Sequence, residues 1–100
     1  MKSKIRVVSA TKIINIEADD EKNKFIRNFK EYNIPVKMFN LKLKTIVKDW
    51  PDKLNDSSVL DSTSYKIAIK DGNNVYKKEG NLVPKHFSQF INLITGGFDD

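Results

Sequence analysis

Apolar and polar residues alternate in two stretches near the start of the chain. Residues 4–9 and 12–17 are rich in isoleucine and valine, and in the second stretch Ile14 and Ile16 flank Asn15. A period of two residues is typical of a strand that buries one side and exposes the other. The pattern predicts either one bent strand or two short strands.

The spacing of apolar residues becomes helical over residues 20–33. Large apolar residues recur at positions that one side of a helix can gather: Phe25, Ile26, Phe29 and Tyr32. Acidic residues at 19–21 suit the positive end of a helix that begins there. The sequence Asn33-Ile34-Pro35 ends the predicted helix, because a residue that precedes proline disfavours the helical conformation.

Residues 36–49, together with the adjoining Trp50, fit two patterns. A helix gathers six large apolar residues on one stripe: Val36, Phe39, Leu43, Ile46, Val47 and Trp50. A strand gathers only four on one side: Phe39, Leu41, Leu43 and Val47. We favour a helix, since it collects more of the apolar residues and the segment is long for a strand. A strand is the alternative.

Turn-forming residues and a second alternating stretch follow. Residues 51–63 are dominated by Asp, Ser, Lys and Asn and predict a polar loop that is longer than most connections in a compact domain. Residues 64–78 predict a β-hairpin, because alternation on both sides of a turn sequence, Asp-Gly-Asn-Asn at 71–74, is characteristic of one. In the expected register Ile69 pairs with Tyr76 on the buried side.

A final amphipathic helix is predicted over residues 84–95. Pro84 suits its first position and Gly96 its C-terminal cap, and its apolar stripe consists of Phe87, Phe90, Ile91 and Ile94. Residues 97–100 are expected to form a frayed acidic tail. The predicted fold is therefore a single small α+β domain, with an antiparallel sheet that contains the 64–78 hairpin and two or three helices.

Composition limits the classes of protein to which the chain can belong. One hundred residues make one compact domain at most. The absence of cysteine excludes disulfides, thiolate zinc sites and a cysteine nucleophile, and a single histidine excludes a multi-histidine metal site. No apolar run approaches the roughly 20 residues that span a bilayer, and no export signal is recognisable. We expect a soluble cytoplasmic protein with no membrane partner.

Catalytic patterns are not found in the sequence. His86 has no carboxylate at a spacing that suggests an orienting partner. The acidic pairs at 19–20 and 99–100 are explained more simply by a helix start and a tail than by Mg²⁺ binding. Glycine-rich phosphate loops and the common nucleophile and zinc-protease motifs do not occur. We expect no enzymatic activity, cofactor, metal or small-molecule substrate.

The charge suggests a polyanionic partner without requiring one. There are 18 Lys and Arg residues against 13 Asp and Glu, a formal charge of +5, and 16 of the cations are lysine. Lysine attracts polyanions, whereas arginine makes the bidentate contacts that read bases. Three surfaces are candidates for phosphate contact: the hairpin with Lys66, Lys70 and Lys77, the 36–49 helix with Lys37, Lys44 and Lys48, and the start of the chain with Lys2, Lys4 and Arg6.

Each basic surface also has a simpler interpretation. Lysines on exposed strands prevent pairing with other chains, and lysines on a helix are commonly just solvated. A winged helix-turn-helix would unite the surfaces, with the 36–49 helix in the major groove and the hairpin on the phosphates. The missing glycine in the turn and the missing arginine in that helix argue against this geometry.

Protein binding is the alternative function. An inhibitor or adaptor that occludes a partner's surface would expose apolar or aromatic anchors. Met38, Leu41 and Trp50 are the candidates, although core packing explains Trp50 more simply. Small lysine- and asparagine-rich chains of this kind are common among phage and mobile-element accessory proteins. The sequence narrowly favours a nucleic-acid-associated accessory or regulatory protein over this alternative.

Overall fold

A computed structural model describes residues 1–56, 58 and 63–98 of the chain. In these residues seven strands and two helices are found. The strands are β1 (Lys2–Val8), β2 (Ile13–Asp19), β3 (Lys24–Arg27), β4 (Lys30–Tyr32), β5 (Lys53–Leu54), β6 (Ser64–Asp71) and β7 (Asn74–Gly80). The helices are α1 (Val36–Val47) and α2 (Phe87–Thr95).

The strands form one sheet in the order β4-β3-β2-β1-β6-β7-β5. Neighbouring strands are antiparallel except for β5 and β7, which are parallel. The hairpin of β6 and β7 has the expected register, since Ile69 lies opposite Tyr76 and Lys70 opposite Val75. The predicted α+β class and its antiparallel sheet with this hairpin are therefore confirmed.

Both helices lie on the same side of the sheet and bury the side chains that point to that side. Alternate residues of the strands point towards them, among them Ile5 of β1, Ile16 of β2 and Ile67 of β6. The helix prediction for 36–49 is confirmed by α1, and the strand alternative is wrong. The helix forms because its apolar stripe, led by Leu43 and Val47, meets this buried side.

The predicted helix over 20–33 is wrong, because this segment is the hairpin of β3 and β4. Phe25 and Tyr32 are seven residues apart, a spacing that suits a helix, but they are cross-strand partners in this hairpin. The acidic residues before it also serve a turn, since Asp19 Oδ1 accepts hydrogen bonds from the backbone N–H groups of Glu21 and Lys22. The edge of β2 offers backbone partners to the segment and the core offers Phe25 a fully buried position. A helix could supply the buried position but not the backbone pairing with β2.

The C-terminal segment differs from the prediction at both ends. The helix α2 begins at Phe87 rather than at residue 84, and His86 before it is left-handed with φ 63°. Gly96 follows the helix in an extended conformation, and Gly97 takes the positive φ. The tail is not frayed as far as Phe98, whose ring stacks on that of Phe25 with centroids 5.5 Å apart. Asp99 and Asp100 lie outside the described residues.

The predicted loop over 51–63 contains a short strand. Lys53 and Leu54 of β5 pair with Glu79 and Gly80 of β7. A side chain at Gly80 would collide with the Leu54 carbonyl, so glycine is required for this approach. Residues 57 and 59–62 of the predicted loop lie outside the described part of the chain.

A buried asparagine ties α1 to the sheet. Asn40 Oδ1 accepts a hydrogen bond from Ser3 Oγ at 2.6 Å, and its Nδ2 donates to the Ala18 carbonyl at 3.3 Å. Nδ2 also lies within bonding distance of the Met1 carbonyl and Asp20. Although Asn40 lies in a lysine-rich helix, its side chain is fully buried.

We expect Asn40→Ala to lower the free energy of unfolding by about 2–3 kcal/mol, because it leaves the buried Ser3 hydroxyl without its acceptor and removes the bond to the Ala18 carbonyl. Ser3→Ala is the matched control and should cost less, about 1 kcal/mol, since it removes only one of these bonds. Urea denaturation of the three proteins measures both differences. Equal stability of Asn40→Ala and the parent would contradict the assigned role.

The tip of the β3–β4 hairpin is a second testable feature. Asn28 and Phe29 form its two-residue turn with φ values of 50° and 69°, and the Phe29 side chain is 98% exposed. A left-handed conformation costs a non-glycine residue about 1–2 kcal/mol. We expect Phe29→Gly to raise the free energy of unfolding by about 1 kcal/mol, since it relieves this cost and loses no buried contact. Phe29→Ala keeps the Cβ, so its free energy of unfolding should stay within about 0.5 kcal/mol of that of the parent. Urea denaturation measures both differences.

Candidate nucleic-acid interface

The side of the sheet that faces away from the helices is open and carries a cluster of cations. Alternate residues of β1, β6 and β7 point to this side, because successive side chains of a strand lie on opposite sides. We call the following six residues the basic face: Lys2, Lys4, Arg6, Lys66, Lys70 and Lys77.

The register sets cations directly opposite one another. Lys2 lies opposite Lys70, and Arg6 lies opposite Lys66. Directly opposed residues have Cβ atoms about 4.5–5.5 Å apart, and like charges at that separation destabilise a sheet. In the row between these two pairs, Ala68 has Lys4 on one neighbouring strand and Lys77 on the other.

Three carboxylates border the six cations of the basic face, because Asp19 lies opposite Lys2, Glu17 opposite Lys4 and Glu79 opposite Lys66. Glu17 lies 3.8 Å from Lys4, and at the edge of the sheet Glu79 lies 3.9 Å from Lys53. Both pairs are exposed, and such pairs contribute little to stability. The other five cations of the basic face form no ion pair with a carboxylate of the described residues. Arg6 donates from Nη1 to the side-chain oxygen of Asn15 at 3.1 Å.

Two shallow depressions lie on either side of Ala68. One, of about 280 Å³, is lined by Lys4, Arg6 and Lys66 among others, and the second, of about 350 Å³, is lined by Lys66 and Lys77 among others. The small side chain of Ala68 leaves this space between the long stems of the lysines. Lys4, Lys66 and Lys77 line the two depressions, so an anionic chain lying across Ala68 would be close to all three.

No aromatic ring belongs to this side of β1, β6 and β7 among the residues that the structure describes. Tyr65 and Tyr76 point to the buried side of the sheet. Proteins that hold single strands on an open sheet usually stack bases on aromatic rings there. The basic face can therefore contact phosphates, which position a nucleic acid, but it offers bases no stacking surface.

The structure unites two of the three predicted basic surfaces and separates the third. The hairpin lysines and the cations of β1 come together because β1 pairs with β6. Lys37 and Lys48 are exposed on α1, in the helical layer behind the sheet. Lys44 forms an ion pair with Asp71 at 2.7 Å. The winged helix-turn-helix geometry is wrong, because its first helix is the β3–β4 hairpin.

Lys78, the neighbour of Lys77 on β7, points to the other side of the sheet. Its side chain is buried and its Nζ lies 2.9 Å from Asp52. Position 78 pairs with Ile67 of the buried side, so alternation takes this lysine away from the basic face. The sequence did contain this information, since residues 77 and 78 must point in opposite directions on one strand.

Of the three predicted protein-binding anchors, two are exposed and one is buried. Met38 and Leu41 are 52% and 45% exposed on α1, beside hollows that continue between α1 and α2. Trp50 is buried, its ring is edge-on to Phe90 with centroids 5.5 Å apart, and its Nε1 donates to the Lys85 carbonyl at 2.7 Å. The prediction that Trp50 is an exposed anchor is wrong, and the simpler interpretation, that it packs in the core, is confirmed.

His86 and the acidic side chains are the groups relevant to catalysis or metal binding. His86 is exposed, as the sequence suggested. Among the described residues, no cluster of three or more His, Cys, Asp or Glu side chains could hold a metal ion. Neither α1 nor α2, the helices of the described segments, is long and apolar enough to span a membrane.

Comparisons with known proteins find no similar protein. The chain matches no protein-family model, no curated protein and no solved structure.

The ion pair of Lys44 and Asp71 links α1 to the turn of the β6–β7 hairpin. The Lys44 ammonium, which donates a hydrogen bond to Asp71, lowers the pKa of this carboxyl below its ordinary value of 3.8. The same bond raises the pKa of Lys44 above 10.5. A carboxyl with a lowered pKa stabilises the fold above its ordinary pKa, and this contribution is lost as the pH falls through the lowered value.

We expect Asp71→Asn to be less stable than the parent at neutral pH and to converge with it in acid well below pH 3.8, where the Asp71 carboxyl of the parent is protonated. The measurement is the urea midpoint of both proteins at the two pH values. Asp49→Asn is the control, because it changes the net charge equally at an exposed position. A difference that stays constant with pH would contradict the role given to the ion pair.

Proposed function

We propose that this protein binds nucleic acid through its basic face and acts as a non-catalytic accessory or regulatory protein. The observation that carries the proposal is the register of β1 and β6, which opposes Lys2 to Lys70 and Arg6 to Lys66. These two like-charged pairs, which are separated by the row of Lys4, Ala68 and Lys77, cost stability in the free protein. A polyanion lying on the sheet would relieve this repulsion.

Phosphates are the groups that this surface suits best. Five of its six members are lysines, which act as point charges towards phosphate rather than as readers of base edges. Binding would release counterions from the nucleic acid, so affinity should fall steeply with salt. Contacts of this kind are largely independent of sequence.

The first experiment measures fluorescence anisotropy of labelled single-stranded DNA, duplex DNA and RNA at two salt concentrations. We expect salt-sensitive binding by the parent. Lys66→Glu should weaken it roughly tenfold and reduce the slope of log affinity against log salt by about 1. Lys37→Glu is the matched control, because it makes the same change of charge on α1, and it should bind like the parent.

A second pair of variants separates binding from stability. Ala68→Glu places a carboxylate between Lys4 and Lys77, so it should weaken binding while it raises the free energy of unfolding by about 0.2–1 kcal/mol. Ala68→Gln is the uncharged control of similar size and should change neither property by as much. Equal binding by Ala68→Glu and Ala68→Gln, or equal loss in Lys66→Glu and Lys37→Glu, would overturn the proposal.

Protein binding is the second candidate function, and the exposed side chains of Met38 and Leu41 support it. They stand beside the hollows between the helices, on the layer opposite the basic face. If this candidate is right, a partner protein retained by the parent will be lost from a Met38→Lys, Leu41→Lys double variant and retained by Lys66→Glu. The reverse pattern would exclude it.

A further inference from the structure

The exposed ring of Phe29 has no role in the fold. It stands at the tip of the β3–β4 hairpin, 98% exposed, on a backbone with φ 69°. Asn-Gly is the favoured sequence for such two-residue turns, since glycine takes a positive φ without steric cost. A bulky aromatic residue at this position is conformationally unfavourable and exposes a large apolar surface, so its presence points to a ligand rather than to stability.

The tip that carries this ring is held firmly against β2. The side-chain oxygen of Asn28 accepts a hydrogen bond from the Asn15 N–H at 2.8 Å, and its Nδ2 donates to the Ile13 carbonyl at 3.2 Å. The Asn28 N–H donates to the Asn15 carbonyl at 2.9 Å. These three bonds continue the pairing of β2 and β3 into the turn, so Phe29 projects from a fixed base.

The same bonds place Asn28, the residue before Phe29, at the end of a row that begins on the basic face. Lys66 lies opposite Arg6, Arg6 bonds to the side chain of Asn15, and Asn15 bonds to Asn28. Neighbouring strands are about 4.8 Å apart, so the backbone beside Phe29 lies about 10 Å from that of Arg6. A chain whose phosphates lie on the basic face needs to extend only a short distance to reach the ring.

We propose that Phe29 stacks on a base of single-stranded nucleic acid whose phosphates lie on the basic face; this inference rests on the function proposed above. The ring supplies the stacking surface that the basic face lacks. Bases in a duplex are already stacked on their neighbours, whereas an unpaired base has a free face to offer. Every base has such a face, so the contact tolerates any sequence.

The test compares three labelled probes in the anisotropy assay: oligothymidylate, an abasic strand of the same length and charge, and a duplex of the same length, which carries twice the charge. We expect the parent to bind oligothymidylate more tightly than the abasic strand. Phe29→Ala should lower the affinity for oligothymidylate roughly tenfold, as expected for the loss of one stacked base, and leave the abasic strand unaffected. Phe29→Trp should retain the binding, and Phe29→Leu, which is apolar but has no ring, should not.

The outcomes separate this inference from the function on which it rests. Suppose that Phe29→Ala binds oligothymidylate like the parent while Lys66→Glu does not. The inference that Phe29 stacks on a base is then wrong, and the proposal that the basic face binds nucleic acid is supported. If Phe29→Ala weakens binding of the abasic strand or the duplex equally, the ring acts without an unpaired base and the inference is overturned. If the parent binds none of the probes, both proposals fail. The urea midpoint of each variant shows that the fold is intact.

Discussion

Strand β1 is hydrogen-bonded on both sides, to β2 and to β6, and the rest of the structure depends on the register of these two pairings. Its buried residues, Ser3, Ile5 and Val7, must all face the helices. A shift of one residue would turn every side chain of the strand to the opposite side. Burial of these three residues therefore decides which of their neighbours point away from the helices.

The buried layer is held by two polar contacts as well as by apolar packing. Asn40 fixes α1 to β1 and β2. Arg27 of β3 is buried and donates from Nε to the Ile94 carbonyl at 2.9 Å, in the last turn of α2, where carbonyls lack partners within the helix. Its guanidinium also lies over the Phe98 ring, 4.8 Å from the centroid. The β3–β4 hairpin thus anchors both α2 and the segment after it.

This construction gives the two sides of the sheet different chemistry. On the side of the helices, two cations are paired with carboxylates: Lys44 of α1 with Asp71 of β6, and Lys78 of β7 with Asp52. The open side keeps the like-charged pairs of β1 and β6, and the tip of the β3–β4 hairpin adds a bare aromatic ring at its margin. The exposed charges of β1 and β6 and the exposed ring of Phe29 are therefore carried by separate parts of the sheet.

The sequence by itself determined the elements whose patterns are local. Alternation predicted the β6–β7 hairpin with its register and one or two strands where β1 and β2 lie, and a stripe of apolar residues favoured a helix where α1 forms. In the β3–β4 hairpin the spacing between Phe25 and Tyr32 suits a helix and a cross-strand pair equally, so the choice was made by the edge of β2 and the space in the core. The union of Lys2, Lys4 and Arg6 with the hairpin lysines was likewise decided by tertiary structure. About 60 residues of chain separate the two groups, and only the pairing of β1 with β6 brings them together.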